Sequence, residues 1–198
     1  MVTEHASTDI GAGFADPVFD SQRSFRAVLQ AMSRPGTVVM LPPFGTAPAG
    51  IRPAAAAVVL TLVDFDTVLW LDPAAQHAGG YFRFHCGCRL ADEPGDADFA
   101  LIADPVGMPR LAEFKSGSDD FPDRSATVIL QIDEFAGSAA RFRGPGIADC
   151  IDFAVRPLPT EFAAQWRDNT ALYPRGIDLI LAADAAMAAL PRSSRMEG

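Results

Sequence analysis

The sequence predicts an α/β domain in which helices flank a mixed central β-sheet. Short apolar runs bounded by turn residues recur along the chain, and segments with helical spacing lie between them. No internal repeat or low-complexity tract interrupts this alternation. Hydrophobic residues make up 49% and charged residues 21% of the 198 positions, which is enough apolar material for one substantial core. A single domain over residues 1–198 is expected, with 1–13 and 195–198 as flexible ends.

Asp20 is placed to cap a helix running through Met32, with Phe25, Leu29 and Met32 forming an apolar stripe expected to face the core. Ser33-Arg34-Pro35-Gly36 puts proline and glycine where a type II turn wants them, and residues 37–41 then read as a buried strand. Pro53 suits the first turn of an alanine-rich helix reaching Val63. β-Branched and aromatic content predicts strands at 67–71, 81–85, 99–103 and 127–132. Residues 92–98 and 116–124 are loops rich in Gly, Pro and Asp. Residues 140–143 read as a short strand ending at Gly144-Pro145-Gly146, after which Thr160 can cap a helix carrying Phe162, Ala163 and Trp166 on one side. Residues 176–182 look like a strand, though the alanines that follow leave a helix through Leu190 open.

Composition excludes some classes of function. With 16 basic and 25 acidic residues the chain carries a formal charge of −9, which repels nucleic-acid backbones and anionic membranes. Lys115 is the only lysine, so anion contacts fall to the planar, bidentate forks of arginine. Residues 1–20 lack a basic start followed by an apolar run, and the longest apolar stretch, 53–63, is shorter than the roughly 20 residues of a membrane span, so neither export leader nor membrane segment is expected. Three cysteines fit no disulfide framework and suggest a reducing cytoplasm.

His85-Cys86-Gly87-Cys88 is the most chemically suggestive string, because imidazole and thiolates suit zinc or copper. Its spacing is poor for a tetrahedral site, and as strand neighbours His85 and Cys86 would face opposite sides, so a structural strand end is preferred to a metal site or a nucleophile with its base. Gly11-x-Gly13 follows no strand and opens no helix, so it is no dinucleotide fingerprint. Gly144-Pro145-Gly146 lets backbone approach another segment, a partner or an anion closely. Lys115 reads as a solvated surface lysine, and the carboxylates at 92–98 and 119–123 as solvated loop charge. No grouping supplies a nucleophile, its base and an orienting residue, which points to one subunit of a larger enzyme assembly.

Several strings carry a resemblance when read in order: residues 14–26, Ala31-Met32-Ser33-Arg34-Pro35-Gly36, Phe82-Arg83-Phe84-His85, Gly144-Pro145-Gly146-Ile147, residues 174–181 and Leu190-Pro191-Arg192. Together they resemble the H-subunit family of the bacterial carbon-phosphorus lyase system, over about residues 14–194. The resemblance implies a fold like the large domain of pyridoxal-phosphate-dependent transferases without the cofactor site. It implies a role beside sister subunits G, I and J in a core complex that couples a phosphonate to the ribose triphosphate of ATP with release of adenine, before a radical iron-sulfur subunit cleaves the carbon-phosphorus bond. It also implies a homodimer when the chain is isolated. Ser193 and Ser194, where threonines are expected, and Cys86 depart from the family pattern.

No catalytic, cofactor or metal residue is assigned. The candidate ligand or partner contacts are Arg34, Arg83, His85, Gly144, Pro145, Gly146, Arg175 and Arg192. Two rival readings are a stand-alone metal-dependent enzyme built on His85, Cys86 and Cys88, and a phosphonate- or nucleotide-binding module using the arginines.

Overall fold

In the computed structural model, which describes residues 11–197, the chain runs α1 Pro17–Ser33, β1 Val39–Met40, α2 Pro53–Leu62, β2 Val68–Leu71, α3 Gly79–Cys86, β3 Arg89–Leu90 and β4 Phe99–Ile102. It continues with β5 Thr127–Gln131, β6 Ala140–Arg143, β7 Ile151–Phe153, α4 Phe162–Ala171, β8 Asp178–Ala182, β9 Ala186–Leu190 and β10 Arg195–Glu197. A seven-stranded sheet has the order β1-β9-β8-β5-β4-β2-β3, and a three-stranded sheet the order β10-β6-β7. Within the large sheet β3, β2, β4, β5 and β8 are mutually parallel, while β9 is antiparallel to both β8 and β1. The expected mixed sheet is therefore present.

Strand alternation builds two cores. Ile129 and Ile180 point to the layer of α1, α2 and α3, whereas Val128, Leu130, Leu179 and Leu181 point to α4 and the small sheet. Such strands are covered on both faces, which explains their unbroken apolar runs. Pro53 opens α2 as expected, and the alanines at 54–57 are buried, so this helix lies close against its neighbours.

Helix α1 corrects the sequence reading in two ways. Its N-cap is Asp16, which accepts from Phe19 N at 3.2 Å, while Asp20 accepts from Asp16 N at 2.9 Å and pairs with Arg23. Its buried face is Asp20, Ser24, Ala27, Val28 and Ala31, leaving Phe25 45% and Leu29 52% exposed. Both stripes have helical spacing. The small residues turn inward because α1 contacts the alanine-rich α2 closely, which a row of bulky side chains would prevent.

Other elements also differ from expectation. Residues 81–85 belong to helix α3, not a strand. Strands β2 and β3 are parallel neighbours, so the chain needs a crossover between them, and the short aromatic run supplies it. Residues 37–41 reduce to the two-residue edge strand β1, with Met40 67% exposed, although the preceding turn closes as expected through Thr37 N donating to Arg34 O at 3.1 Å. The segment after 182 makes a hairpin into β9, where Ala183 N donates to Ala186 O at 2.9 Å. Thr160 does not cap α4, whose N-cap is Glu161. Residues 195–197, expected as a flexible end, pair with β6 as β10. The corresponding expectation for residues 1–10 lies outside the described residues.

At the carboxyl end of β2, Asp72 is 3% exposed and its carboxylate accepts from Ala75 N at 2.8 Å, Ala103 N at 3.0 Å and Asp104 N at 2.8 Å. It thereby fastens β2 to the segment leaving β4. Removing the carboxylate would strand buried donors, so Asp72→Ala should lower unfolding free energy by about 3 kcal/mol or more in urea titrations. A loss under about 0.5 kcal/mol would contradict this role.

The Asp20 carboxyl is held below its ordinary value, first by the Asp16 backbone N–H and then by Arg23. A depressed folded value adds stability above the unfolded carboxyl range near ~3.9, and this is lost as pH falls through the folded value. Asp20→Asn should therefore be less stable than the parent at neutral pH, and thermal melts should show the gap closing below about pH 4.

Candidate functional site

In open α/β sheets, ligands commonly bind beyond the carboxyl ends of the strands, at the point where the strand order reverses. Here that point lies between β2 and β4, since the chain passes from β2 to β3 on one side and returns to β4 on the other. The crevice is stitched by the chain itself. The Asp72 carboxylate takes up the amides an anion would use. Further along, Gln131 Oε1 accepts from Arg52 N at 2.6 Å and its amide donates to Gly50 O at 3.1 Å. Arg52 bridges Asp133 at 2.6 Å and Asp184 at 2.5 Å.

The more open ground is at the opposite end of the sheet, where β8 begins and β9 ends. Two hollows of about 560 and 630 Å³ meet there and share Pro145, Tyr173, Arg192 and Ser193. The first is walled by Met32 and Ser33 at the end of α1, and the second by Arg143, Arg195 and Glu197 of the small sheet. Between them runs the Gly144-Pro145-Gly146 loop. Gly144 has φ 151°, and a Cβ there would sit 2.6 Å from Ser193 O; Gly146 has φ 82°, and a Cβ would sit 2.1 Å from Ser33 O. The two glycines let the loop wedge between the end of α1 and the segment after β9, so the close approach anticipated from the sequence is to other backbone of the same chain.

Arg192 is the fixed cation of this cleft. Its backbone N donates to Asp178 Oδ1 at 2.8 Å, Nε to the same oxygen at 3.1 Å, Nη2 to Oδ2 at 2.5 Å and Nη1 to Pro122 O at 2.7 Å. The bidentate fork holds its plane, Nη1 also reaches Pro174 O at 3.5 Å, and one Nη2 N–H is left without a partner among these contacts. Arg143 pairs with Asp149 at 2.6 Å and with Glu197. Arg195 is exposed on the wall and has no ion-pair partner among the described residues. Below the cleft, Trp166 Nε1 donates to Ser194 O at 2.8 Å, and Asn169 exchanges two hydrogen bonds with Ile177 at 2.8 and 3.0 Å, fixing the approach to β8.

The structure thus gathers Gly144, Pro145, Gly146 and Arg192. Arg34 caps the end of α1 beside Ser33 with an exposed side chain, and Arg175 Nε lies 3.0 Å from Asp119. Arg83 and His85 are elsewhere, on α3. His85 Nε2 meets Gly11 O at 2.9 Å and its ring lies 4.4 Å from that of Tyr81, so it clamps the chain ahead of α1. The opposite-face argument for His85 and Cys86 falls with the strand. Among the described residues no group of three or more His, Cys, Asp or Glu is placed to hold a metal ion. Lys115, expected as solvated, is half-buried and pairs with Asp98 at 2.7 Å. Arg143, Tyr173 and Arg195 escaped the sequence reading. Arginines alternating across β6 and β10 were the available signal, hidden by treating 195–198 as an unpaired end.

A family model described as bacterial phosphonate metabolism protein (PhnH) matches residues 12–197. A relative from Rhizobium meliloti strain 1021, the alpha-D-ribose 1-methylphosphonate 5-triphosphate synthase subunit PhnH, is 37% identical over 196 residues, covering 97% of this chain and 98% of the relative. A putative C-P lyase subunit protein, HtxG, from Stutzerimonas stutzeri is 32% identical over 180 residues, covering 88% of this chain and 85% of the relative. With the match running from the segment clamped by His85 through the last strand, the chain belongs to the PhnH family of bacterial phosphonate metabolism proteins.

Proposed function

We propose that this chain is a cytoplasmic subunit of a carbon-phosphorus lyase assembly and serves, with sister subunits G, I and J, the transfer of the ribose triphosphate moiety of ATP to a phosphonate with adenine release. The 37% identity to the Rhizobium alpha-D-ribose 1-methylphosphonate 5-triphosphate synthase subunit supports the reaction. The observation that carries the subunit role is the outward face of α1, where Val18 74%, Phe25 45% and Leu29 52% are exposed at helical spacing on one stripe, with Phe19 60% exposed at its edge. A continuous apolar face of this kind is costly in water and marks a surface meant to be covered. The homodimer expected of the isolated chain belongs to the same reading.

Within the assembly, the chain's part is to present cations. The cleft offers guanidinium forks suited to phosphate or phosphonate oxygens and gathers no nucleophile with a base. Arg192 holds one position rigidly, and Arg195 is the fork whose charge no described carboxylate neutralises.

In a reconstituted assembly supplied with MgATP and methylphosphonate, Arg195→Ala should slow adenine release by about tenfold, equivalent to about 1.4 kcal/mol, without dissociating the subunits. The isolated chain should release none. Undiminished turnover by Arg195→Ala would remove the cation-presenting role, and turnover by the isolated chain would remove the subunit role.

Leu29→Glu on the exposed stripe should leave the circular dichroism melt within a few degrees of the parent, because no core contact is lost, yet reduce incorporation into the assembly in native mass spectrometry. Normal incorporation would exclude α1 as an assembly surface.

A further inference from the structure

We propose that the hollow between α4 and the segment that begins at Arg110 binds a small zwitterion, an ammonium and an acid group joined by a short aliphatic stem. The hollow holds about 270 Å³ and shares no lining residue with the cleft around Arg192. Sites for drug-sized molecules hold roughly 300–1,000 Å³, so the occupant here is small. One wall is a face of α4 and its C-cap, where Gln165, Asp168, Asn169 and Leu172 recur at helical spacing, and the other is formed by Arg110 and Leu111.

Gln165 is the residue that points to a ligand. It is 9% exposed, and its Oε1 is already committed, accepting from Leu111 N at 2.8 Å. That bond sets the orientation of the amide, and Nε2 finds no acceptor among the described residues. Unlike the hydroxyls of Ser24, Ser125 and Ser194, which are sealed without partners, this nitrogen opens on the hollow that Gln165 lines. A donor held at nine-tenths burial keeps few water partners, so an acceptor brought by a ligand is rewarded. Its neighbour Asn169 spends its amide on Ile177 and only builds the wall.

The charges on the rim set the character of the ligand. Arg110 is brought beside Gln165 by the Leu111 bond, and its one ion pair is long, 3.8 Å to Glu161 with both side chains exposed. Asp168 is exposed, has no ion-pair partner among the described residues and stands in the last turn of α4, where the helix dipole also favours a cation. A simple acid would meet the Asp168 carboxylate, and a simple amine the Arg110 guanidinium. A zwitterion satisfies both, with its acid group on Arg110 and the Gln165 amide and its ammonium on Asp168. Leu111 and Leu172 take the stem. An aliphatic amino acid and an aminoalkylphosphonate share this chemistry.

The site stands apart from the cleft and the test uses the full chain alone, so its outcome is independent of the assembly. Isotope-labelled protein is titrated while the Gln165 side-chain amide is followed by NMR, its signal identified by its absence from Gln165→Glu. Leucine and aminoethylphosphonate are the two probes, with methylphosphonate, which lacks the ammonium, and butylamine, which lacks the acid group, as controls. At least one zwitterion should shift the signal saturably below about 10 mM and bind about tenfold or more tighter than either control. The tighter of the two identifies the source. Gln165→Glu keeps the acceptor for Leu111 N, so it should fold normally, yet binding followed at the Leu111 backbone amide should weaken by about tenfold or more. Asp168→Asn should weaken zwitterion binding by a similar factor and narrow its advantage over methylphosphonate. Thermal melts check that both variants are folded, and the comparison with the controls in the unaltered chain decides the matter if either is not. No saturable shift from either zwitterion, equal binding of methylphosphonate or butylamine, or unchanged binding in a folded Gln165→Glu or Asp168→Asn would overturn the proposal.

Discussion

A parallel sheet has to satisfy the backbone amides that emerge where its strands end and its connections begin, and here one buried carboxylate meets three of them at the ends of β2 and β4. Asp72 takes N–H groups from its own turn and from the two residues after Ile102, so the strands on either side of the reversal in strand order are held at their carboxyl ends. Those amides form the kind of concavity that cradles a phosphate in many nucleotide-binding α/β proteins. The chain fills it with its own side chain. Gln131 and the Arg52 bridges line a hollow of about 410 Å³ beside it, and the cleft around Arg192 lies at the other end of the sheet.

That position explains the anatomy of the cleft. Its walls come from the end of α1, the turn before β8, the segment after β9 and the small antiparallel sheet, which are brought together only when the large sheet is complete. Arg192 makes the dependence plain, because its guanidinium plane is set by Asp178 at the first position of β8 and by the carbonyl of Pro122 from a distant loop. Rigid placement of this sort reduces the ordering cost of binding an anion.

Much of this was legible in the sequence. The buried parallel strands announced themselves through runs such as 127–132, and Pro53 marked its helix start. Four cleft residues were singled out, Gly144, Pro145 and Gly146 by the close approach their glycines allow and Arg192 by its guanidinium, and all four also stand in strings that carry the family resemblance. The failures share a cause, which is that local pattern does not say what lies opposite. The stripe of Phe25 and Leu29 has the spacing of a core face, but the alanines of α2 admit only small partners, so the rival stripe went inward. The aromatic run in 81–85 has strand-like content, and only the parallel pairing of β2 with β3 required a helix there. Arg195 looked like part of a loose end because its partner strand lies more than fifty residues away.

The wedge between Ser33 and Gly146 has a mechanical consequence. Helix α1 has 17 residues, a rod of about 25 Å, with its apolar stripe on one side and its last carbonyl pressed against the cleft loop. A rod in contact at its tip behaves as a lever. At that tip the helix and the wall of the cleft meet through backbone, with no side chain between them.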